Sequence, residues 1–235
     1  MSFRFKHFNV SHEQSSMKVG TDAVLLAAVA DVKDANHILD AGTGCGVIAL
    51  ACAQRSSAAI HAVDIHEPSV KEANENFRNS PWAARLKAFE LSLQQLAAQE
   101  AKSYDLIISN PPFFQQSLAS PELSRHNARH NDQLPFRDFA SAVSRLIRKG
   151  GSVWVILPVR ESGILTKEML KVGFSEKYIL NVIPVKGRKP NRRIAEYKKN
   201  QDVIFTKKEE IIIRNADNRY TEIYRELTKD FYLNF

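Results

Sequence analysis

The chain has 235 residues, of which 44% are hydrophobic and 25% charged. This mixture is typical of a soluble globular protein and excludes a disordered, collagen-like or fibrous chain. No apolar run approaches the roughly 18 residues of a membrane span and we identify no signal peptide, so we expect a cytoplasmic protein without a membrane partner. Cys45 and Cys52 are too few for a disulfide framework, and His126 and His130 lack the glutamate of an H-E-x-x-H motif, so we expect reduced thiols and no metal site.

Positive charge is concentrated in one segment of a chain whose formal net charge is +7. Between Lys186 and Lys199 lie seven basic residues and a single acid, Glu196. Gly187 and Pro190 interrupt this basic segment, which therefore predicts a loop that presents cations to the phosphates of a nucleic acid. A solvated loop without a ligand is the alternative that the charge leaves open.

The first predicted element is an apolar helix over Asp22–Val32, which Thr21 could cap. From about residue 37 to residue 174, apolar runs of strand length alternate with helical patterns, an order that predicts a parallel sheet. The predicted strands are His37–Asp40, Ala59–Ile65, Leu86–Leu91, Tyr104–Asn110 and Ser152–Pro158. The predicted helices are Val47–Arg55, Ser69–Asn79, Ser92–Glu100, Arg137–Lys149 and Ile164–Val172.

Beyond Gly173 the alternation ends. Two predicted strands, Glu176–Val185 and a run within Arg192–Phe205, flank the basic segment and are expected to pair as a hairpin at the sheet edge. The tail Arg219–Phe235 has the period of an amphipathic helix, whose apolar stripe should pack on the rest of the domain. This stripe consists of Tyr220, Ile223, Tyr224, Leu227 and Phe231. We expect a single domain.

One predicted connection, from Phe113 to Phe136, is far longer than the roughly 2–6 residues usual between a strand and its helix. The sequence Ser-Pro-Glu at 120–122 has the pattern of a helix start, and a short helix there would place Arg125 and Arg129 on one face. Long structured loops at the carboxyl edge of a parallel sheet usually belong to a binding site.

A glycine motif follows the first strand of the predicted sheet. In the sequence Asp40-Ala-Gly42-Thr-Gly44-Cys-Gly46, a strand turns into a helix, and the glycines let the backbone approach a ligand closely. The next strand ends near Asp64, which can accept hydrogen bonds from both hydroxyls of a ribose. Together these features predict a nucleotide-like ligand; an N-capping Asp and a tight turn without a ligand are the alternative.

A second motif, Asn110-Pro111-Pro112-Phe113, closes the predicted fourth strand, because two successive prolines cannot donate to the ladder. Asn110 is thereby placed at the carboxyl edge of the sheet, beside the glycine motif. An exocyclic amine of a nucleobase is a poor nucleophile, since its lone pair is delocalised into the ring. The side-chain oxygen of Asn110 and the carbonyl of Pro111 can each accept one N–H of such an amine, and Phe113 can stack on the base. The motif therefore predicts a planar nitrogen nucleophile.

These motifs resemble those of known enzymes. The glycine motif is similar to motif I of class I S-adenosylmethionine-dependent methyltransferases, and Asn110–Phe113 resembles the [D/N]-P-P-[Y/F/W] motif of amino methyltransferases. The sequence K-V-G-T-D at 18–22 resembles the segment that in those enzymes precedes the Gly-rich strand. With further stretches at 125–130, 187–193 and 220–232, nearly the whole chain resembles the bacterial tRNA-Val (adenine-N6) methyltransferase family, which modifies adenine 37 beside the anticodon.

The resemblance implies an α/β, Rossmann-like class I methyltransferase fold. Its sheet would have seven mostly parallel strands, an antiparallel edge hairpin and helices on both faces. Residues 1–36 would form a segment that covers the cofactor, and residues 37–235 the core. S-adenosylmethionine is the implied cofactor and the tRNA anticodon stem-loop the implied partner, with the target adenine flipped out of its stack. We infer no obligatory protein partner.

The resemblance also implies roles for individual residues. Asn110, Pro111 and Phe113 are expected to be catalytic. The expected cofactor-binding residues are Lys18, Gly20, Thr21, Asp40, Gly42, Gly44, Gly46, Asp64, Ser92 and Asn110. The expected RNA-binding residues are Arg125, Arg129, Lys186, Arg188, Lys189, Arg192 and Arg193. Ser92 stands where many members of the family have an Asp that holds the adenine amine of the cofactor, and its hydroxyl or a backbone group is expected to make that contact.

Other acceptors and other classes of protein are alternatives. The N-P-P-F motif also fits N2 of a ribosomal guanine, and the related N-P-P-Y the glutamine of a release factor. The length disfavours both, because such enzymes often carry a second domain. A dehydrogenase would need the G-x-G-x-x-G spacing, and a noncatalytic nucleotide-binding domain would have little need of Asn110.

Overall fold

The computed structural model describes residues 2–15, 17–99, 101, 104–111, 135–199 and 206–235, and eight strands of this part of the chain form one sheet. Ahead of it, β1 (Ser2–Arg4) and β2 (Asn9–Ser11) pair as a small antiparallel ribbon. The strands of the main sheet are β3 (His37–Ala41), β4 (Ala59–Asp64), β5 (Leu86–Glu90), β6 (Tyr104–Ser109), β7 (Ile147–Pro158), β8 (Phe174–Val185), β9 (Arg192–Lys199) and β10 (Lys207–Arg214). The helices are α1 (Thr21–Val29), α2 (Val47–Arg55), α3 (Glu67–Arg78), α4 (Leu93–Gln99), α5 (Phe136–Leu146), α6 (Val159–Lys171) and α7 (Glu222–Thr228).

The sheet has the strand order β10-β8-β9-β7-β6-β3-β4-β5. Strands β3 to β7 are parallel to one another, whereas β9 is antiparallel to both β7 and β8. Because β3, β4, β5 and β6 run in one direction, the loops that follow them leave the sheet at one edge, called here the carboxyl edge. The predicted α/β class and its parallel sheet are confirmed.

Successive side chains of the central strands point to opposite faces of the sheet, and each face packs in its own hydrophobic core. On β6, Leu106 and Ile108 face one cluster and Ile107 faces the other. Helices α1, α2 and α3 pack on the first face, and α4, α5 and α6 on the second. Burial on both faces explains why these strands appear in the sequence as nearly continuous apolar runs.

Several predicted boundaries differ from the structure; the helix predicted over Ile164–Val172, for example, already begins at Val159. Helix α1 begins at Thr21 itself, with Gly20 at its N-cap, so the prediction that Thr21 caps the helix is wrong. The predicted helix Arg137–Lys149 ends at Leu146, because the chain enters β7 at Ile147. Near Gly151 the strand packs so closely on β6 that a Cβ would lie 2.8 Å from a carbonyl oxygen.

The C-terminal part of the chain differs more. The main sheet has eight described strands rather than the predicted seven, because β10 pairs parallel to β8 beyond the predicted hairpin of β8 and β9. The predicted tail helix is limited to α7, with Thr221 as its N-cap. Tyr224 and Phe231 are buried as expected, but Ile223 is 70% exposed and does not belong to the stripe. None of the described helices combines the length and the apolar character that crossing a bilayer requires.

Candidate active site

The glycine motif forms a loop that only glycines adopt easily. Gly42, Gly44 and Gly46 have φ angles of +76°, +52° and +83°, which is a left-handed conformation that L side chains disfavour. A Cβ at Gly46 would lie 2.5 Å from the ring of Phe77. At Gly42, by contrast, the described residues leave the space around the corresponding Cβ position open to 4 Å. The loop is therefore closely packed at its helix end and open at its strand end.

Asp40 fixes this loop from below. Its carboxylate is fully buried, and Oδ2 accepts hydrogen bonds from the Thr43 hydroxyl at 2.7 Å and from the Ala49 backbone N–H at 3.2 Å. Burial raises the pKa of Asp40 to about 7, although these two bonds lower it, and the charge of Asp64 adds a smaller increase. Among the described residues, Oδ1 has no hydrogen-bond partner.

Asp64 lies at the other side of the loop, at the end of β4. Its Oδ2 accepts from the Gly44 N–H at 2.9 Å, and its Oδ1 accepts from the His66 N–H at 2.9 Å. These bonds hold the carboxylate against the glycine loop. Because an ionised carboxylate offers about four acceptor positions, it retains the capacity to accept from two ligand hydroxyls.

The start of the second motif lies next to the same loop. The β3–β6 register pairs Asp40 with Ile108, and one residue later the Ser109 hydroxyl donates to the Ala41 carbonyl at 2.6 Å. Asn110, the next residue, is 7% exposed at the carboxyl edge. The structure thus brings the asparagine of the second motif together with the glycine loop. Pro112 and Phe113 lie outside the described residues.

Ser92 caps helix α4 at the end of β5. The backbone N–H of Gln95 donates to the Ser92 hydroxyl at 3.1 Å, and the Ser92 N–H donates to the Gln95 side chain at 2.8 Å. This reciprocal arrangement is a capping box. It gives Ser92 a structural role, and its contact with a cofactor stays a prediction.

The N-terminal segment reaches the glycine loop from the other side. The backbone carbonyl of Met17 would lie 3.8 Å from the Cβ of a side chain at Gly44. The residues Lys18, Gly20 and Thr21, which follow Met17, are exposed. His12 is buried and accepts the Val19 N–H at 3.1 Å, which holds the segment in a turn. The predicted cofactor-covering residues therefore lie near the glycine loop.

Two buried polar residues of α3 hold this segment, and the sequence analysis missed both. Glu72 accepts hydrogen bonds from the backbone N–H groups of residues 13, 14 and 15 at 2.7, 3.2 and 2.9 Å, and from the hydroxyls of Ser11 and Ser15. Burial by itself would raise the pKa of Glu72, but the bonds from residues 11–15 hold it below its ordinary value. The N-terminal segment is thus fastened to α3 by one carboxylate.

Asn76, one turn later, joins the segment directly to the glycine loop. Its side chain accepts from the Ser11 N–H at 2.8 Å and donates to the Ser11 carbonyl at 2.8 Å and to the Cys45 carbonyl at 2.9 Å. A signal for this clamp exists in the sequence. Ser69, Glu72 and Asn76 form a polar row with helical spacing beside the apolar row of Val70, Ala73 and Phe77.

The basic segment divides into two parts. Lys186, Arg188 and Lys189 form an exposed turn between β8 and β9. Arg192 instead donates from Nε to Asp22 Oδ2 at 2.7 Å, and Arg193 donates to the Asn181 side chain at 3.3 Å. Both of these arginines are engaged with protein groups, so the exposed turn is the stronger candidate for contact with RNA. Arg125 and Arg129 lie outside the described residues.

The turn lies at the same edge of the sheet as the glycine loop. In the antiparallel pairing of β7 with β9, Pro158 at the end of β7 lies opposite Arg192 at the start of β9. The turn that precedes β9 therefore leaves the carboxyl edge, two strand positions from β6. At about 4.8 Å per position, this is a lateral distance of roughly 10 Å.

The two cysteines are free and buried. Burial raises the pKa of Cys45 to about 11 and that of Cys52 to about 12, so both are unreactive thiols. Among the residues that the structure describes, no group of His, Cys, Asp or Glu side chains could hold a metal ion.

Known proteins are similar to this chain in sequence. The methyltransferase small domain family matches residues 11–178. A tRNA1(Val) (adenine(37)-N6)-methyltransferase of Bacteroides thetaiotaomicron is 38% identical over 239 residues, which cover 99% of this chain and 97% of the relative. A protein of the same name from Haemophilus influenzae is 37% identical over 235 residues, 99% of each chain.

Solved structures show the same fold at low identity. A predicted O-methyltransferase from Agrobacterium tumefaciens has a TM-score of 0.69 and 18% identity, with 89% of this chain and 96% of that one covered. A T. thermophilus 16S rRNA N2 methyltransferase, solved in complex with AdoMet and guanosine, has a TM-score of 0.57 and 18% identity over 85% of this chain and 50% of that one.

The first prediction compares two glycines of the loop. Gly42→Ala should cost about 1–2 kcal/mol of unfolding free energy, because only the left-handed backbone is penalised. Gly46→Ala should cost about 1–3 kcal/mol more, because its Cβ also overlaps the Phe77 ring. Urea unfolding measures both values, and titration with S-adenosylmethionine should show that Gly42→Ala loses affinity although it is the more stable variant. Equal losses of stability would contradict this packing.

The second prediction concerns the Asn76 clamp. Asn76→Ala should lower the affinity for S-adenosylmethionine about tenfold, because the N-terminal segment is released from the Cys45 carbonyl. Asn74→Ala is the matched control, since Asn74 exchanges two hydrogen bonds with Ala88 of β5 and none of the reported bonds of Asn74 reaches the segment. Calorimetric titration should find near-normal affinity in the control, and equal losses in the two variants would rule out a specific role of the clamp.

The third prediction concerns the pH dependence of stability. The raised pKa of Asp40 means that the unfolded chain loses this proton near pH 4 and the folded chain near pH 7, so the folded state loses relative stability between about pH 4 and pH 7. Asp40→Asn does not titrate, and its unfolding free energy relative to the unsubstituted protein should therefore rise over this range. Urea unfolding at several pH values measures the difference.

Asp105→Asn is the control of opposite sign. Burial would raise the pKa of Asp105, but bonds from the His37 and Asn36 N–H groups and the charge of Arg148 hold it below its ordinary value. Its contribution to stability is therefore present above about pH 4 and is lost as the pH falls. A pH-independent difference for Asp40→Asn would show that the buried carboxyl ionises normally.

Proposed function

The chain belongs to the methyltransferase small domain family and, within it, to the tRNA1(Val) (adenine(37)-N6)-methyltransferases, and on this premise we propose that it methylates N6 of adenine 37 in a valine tRNA. The observation that carries the proposal is the Ser109–Ala41 hydrogen bond of 2.6 Å, which holds Asn110 beside the glycine loop. A planar amine bound by Asn110 would there face a cofactor bound by the loop.

The residues of the loop fit S-adenosylmethionine. Gly42 leaves open space at the end of β3, and the Asp64 carboxylate retains acceptor positions for the two ribose hydroxyls. The buried Asp40 places an unpartnered carboxyl oxygen under the loop, and the exposed Lys18, Gly20 and Thr21 follow the segment held at Gly44. When bound, the cofactor supplies an electrophilic methyl group on its sulfonium.

The chain itself activates the nucleophile by hydrogen bonding. The Asn110 side-chain oxygen and the Pro111 carbonyl each accept one N–H of the adenine amine, which draws the nitrogen lone pair out of conjugation with the ring. The lone pair then points toward the cofactor-binding loop. Because the nitrogen becomes acidic as it is methylated, no strong general base is needed next to it. Asn110 follows β6, whose Ile108 pairs with Asp40 at the start of the glycine motif, and this position supports the role.

The tRNA is held by its phosphates at the same edge. Lys186, Arg188 and Lys189 form the exposed turn roughly 10 Å from β6, a distance that suits the backbone of a stem-loop whose base enters the site. Arg125 and Arg129 are proposed to extend this surface from the long connection. The enzyme would act in the cytoplasm, with the target adenine of the tRNA flipped out of its stack.

The fourth prediction tests Asn110. Asn110→Ala should reduce turnover of tRNA at least about 100-fold, because one of two acceptors that act on the amine is removed. Asn110→Asp is the matched variant, since it keeps an acceptor oxygen at the same position, and it should retain measurable activity. Single-turnover methylation measures both, while a gel shift should show that each variant still binds tRNA.

The product identifies the acceptor. Mass spectrometry of nucleosides from treated tRNA separates N6-methyladenosine from N2-methylguanosine in one run. N6-methyladenosine in the tRNA is the expected product, and its loss in Asn110→Ala assigns it to this site. Full turnover by Asn110→Ala would remove this residue from the mechanism, and N2-methylguanosine as the sole product would refute the proposed acceptor.

A further inference from the structure

A cleft of about 340 Å³ lies at the carboxyl edge, between the start of α1 and the ends of β8 and β10. We call it the Arg214 cleft, and its polar lining includes Asp22, Asn191, Arg192, Arg214 and Tyr220. Its volume is at the lower end of the range of small-ligand pockets, which is roughly 300–1,000 Å³. Neither the glycine loop nor Asn110 lines it, although Thr21 of the predicted cofactor-binding set does. The methyl-transfer chemistry assigns no role to Asn191, Arg214 and Tyr220.

Neighbouring residues fix the orientation of the planar Arg214 guanidinium, on which a nucleobase could stack. Its guanidinium carbon lies 3.9 Å from the ring centroid of Tyr220, and Tyr220 stacks on the buried Tyr224 at 5.1 Å with an angle of 19° between the rings. One guanidinium nitrogen also donates to the Asn218 carbonyl at 2.7 Å. A guanidinium fixed in this way offers a flat face on which an unpaired base stacks, and in-plane N–H groups that bind phosphate.

The charges favour an anionic ligand in this cleft. Asp22 and Arg192 neutralise each other in a 2.7 Å ion pair. Arg214 takes no part in that pair, so Asp22 does not neutralise its positive charge. The exposed basic turn adjoins it, because the Lys186 N–H donates to the Arg214 carbonyl at 2.8 Å. A larger cavity of about 820 Å³ between α1, β8, β10 and α7 has the opposite character, since Glu209, Glu210, Glu222 and Glu226 line it and would repel phosphate. RNA would therefore select the Arg214 cleft.

The cleft is also close enough to the active site for one strand of RNA to reach both. β8 lies three strand positions from β6, a lateral distance of about 14 Å along the carboxyl edge. A few nucleotides of single strand span that distance. We propose that the Arg214 cleft binds one unpaired nucleotide of the substrate RNA near the target adenine, with its base on the Arg214 guanidinium and its phosphate toward the basic turn. The proposal rests on the proposed function, because it assumes an RNA substrate at the Asn110 site.

The fifth prediction tests this cleft with a pair of arginines. Arg214→Gln should weaken binding of an unmodified valine tRNA transcript about tenfold or more, the scale of one stacked base, and should make the salt dependence of binding shallower. Arg219→Gln is the matched control, because it also removes one positive charge nearby. The Arg219 side chain differs from that of Arg214 in that it is 84% exposed and pairs with Asp217. Fluorescence anisotropy over a range of salt concentrations measures both, and the control should stay within about twofold of the unsubstituted protein.

Two further variants separate stacking from charge and from folding. Arg214→Lys should restore the salt dependence but not the full affinity, because an ammonium has no flat face. Asn191→Asp adds a negative charge to the cleft without touching the Tyr220 column, and it should weaken binding as well. Unchanged thermal unfolding and S-adenosylmethionine binding confirm that the variants are folded, and the KM for tRNA should rise while kcat stays constant.

The outcomes distinguish this proposal from the proposed function. Equal tRNA affinity in Arg214→Gln and Arg219→Gln would overturn the nucleotide site while the unsubstituted enzyme still methylates tRNA. Full affinity in Arg214→Lys would overturn the stacking and leave a phosphate contact only. An unsubstituted protein that binds the transcript with Arg214-dependent affinity but transfers no methyl group would refute the proposed function and support the cleft.

Discussion

The hydroxyl of Ser109 donates to the carbonyl of Ala41, and the rest of the site depends on this buried bond. The two residues are the last of β6 and β3, which are adjacent parallel strands, so the chain leaves both strands at the same level of the carboxyl edge. The backbone ladder by itself does not determine where two strands separate. The side-chain bond extends their contact by one residue, so that the glycine loop and Asn110 begin side by side.

The glycine loop is then held from two sides by buried polar groups. Asp40 bonds to Thr43 and to the first turn of α2 from below, and Asn76 bonds to Cys45 from α3. Buried polar groups are costly unless they are paired, so each of these bonds penalises any other loop conformation. The resulting loop is preorganised, and a ligand that binds it does not have to order it. Only Oδ1 of Asp40 departs from this pattern among the described atoms of the loop.

The sequence predicted those parts of the site whose determinants are local. Left-handed glycines, an acid at the end of the next strand and a proline pair after an apolar run are each visible within a few residues, and the structure brings Gly42, Asp64 and Asn110 together. Strand β10 was not predicted because four exposed charged residues precede its apolar half, so its pattern is that of a solvent-facing segment. The cap at Thr21 was predicted from residue type, yet the backbone enters the helix one residue earlier.

Contacts between distant segments could not be predicted at all. Glu72 binds residues more than fifty positions earlier, and Arg192 pairs with Asp22 across 170 positions. The polar row of α3 marks Glu72 as a residue with a partner, but no local pattern identifies that partner, because the proximity of distant segments follows from the fold. For the basic segment this changes the interpretation of the charge. A cluster that is uniform in sequence is divided by the fold, since arginines within a strand bond to neighbouring elements whereas those in the turn face solvent.

The same division supports the proposal that this moderately basic chain binds RNA at one edge. Cations in the turn and at Arg214 gather where β8 and β10 end, whereas glutamates gather along β10 and α7 on the other side of these elements. Because interactions between exposed charges decay over roughly 8 Å at physiological salt, these two surfaces act nearly independently. In the proposed function, the phosphate backbone would therefore be attracted at the carboxyl edge and repelled next to it, and this would orient the RNA before a base enters the Asn110 site.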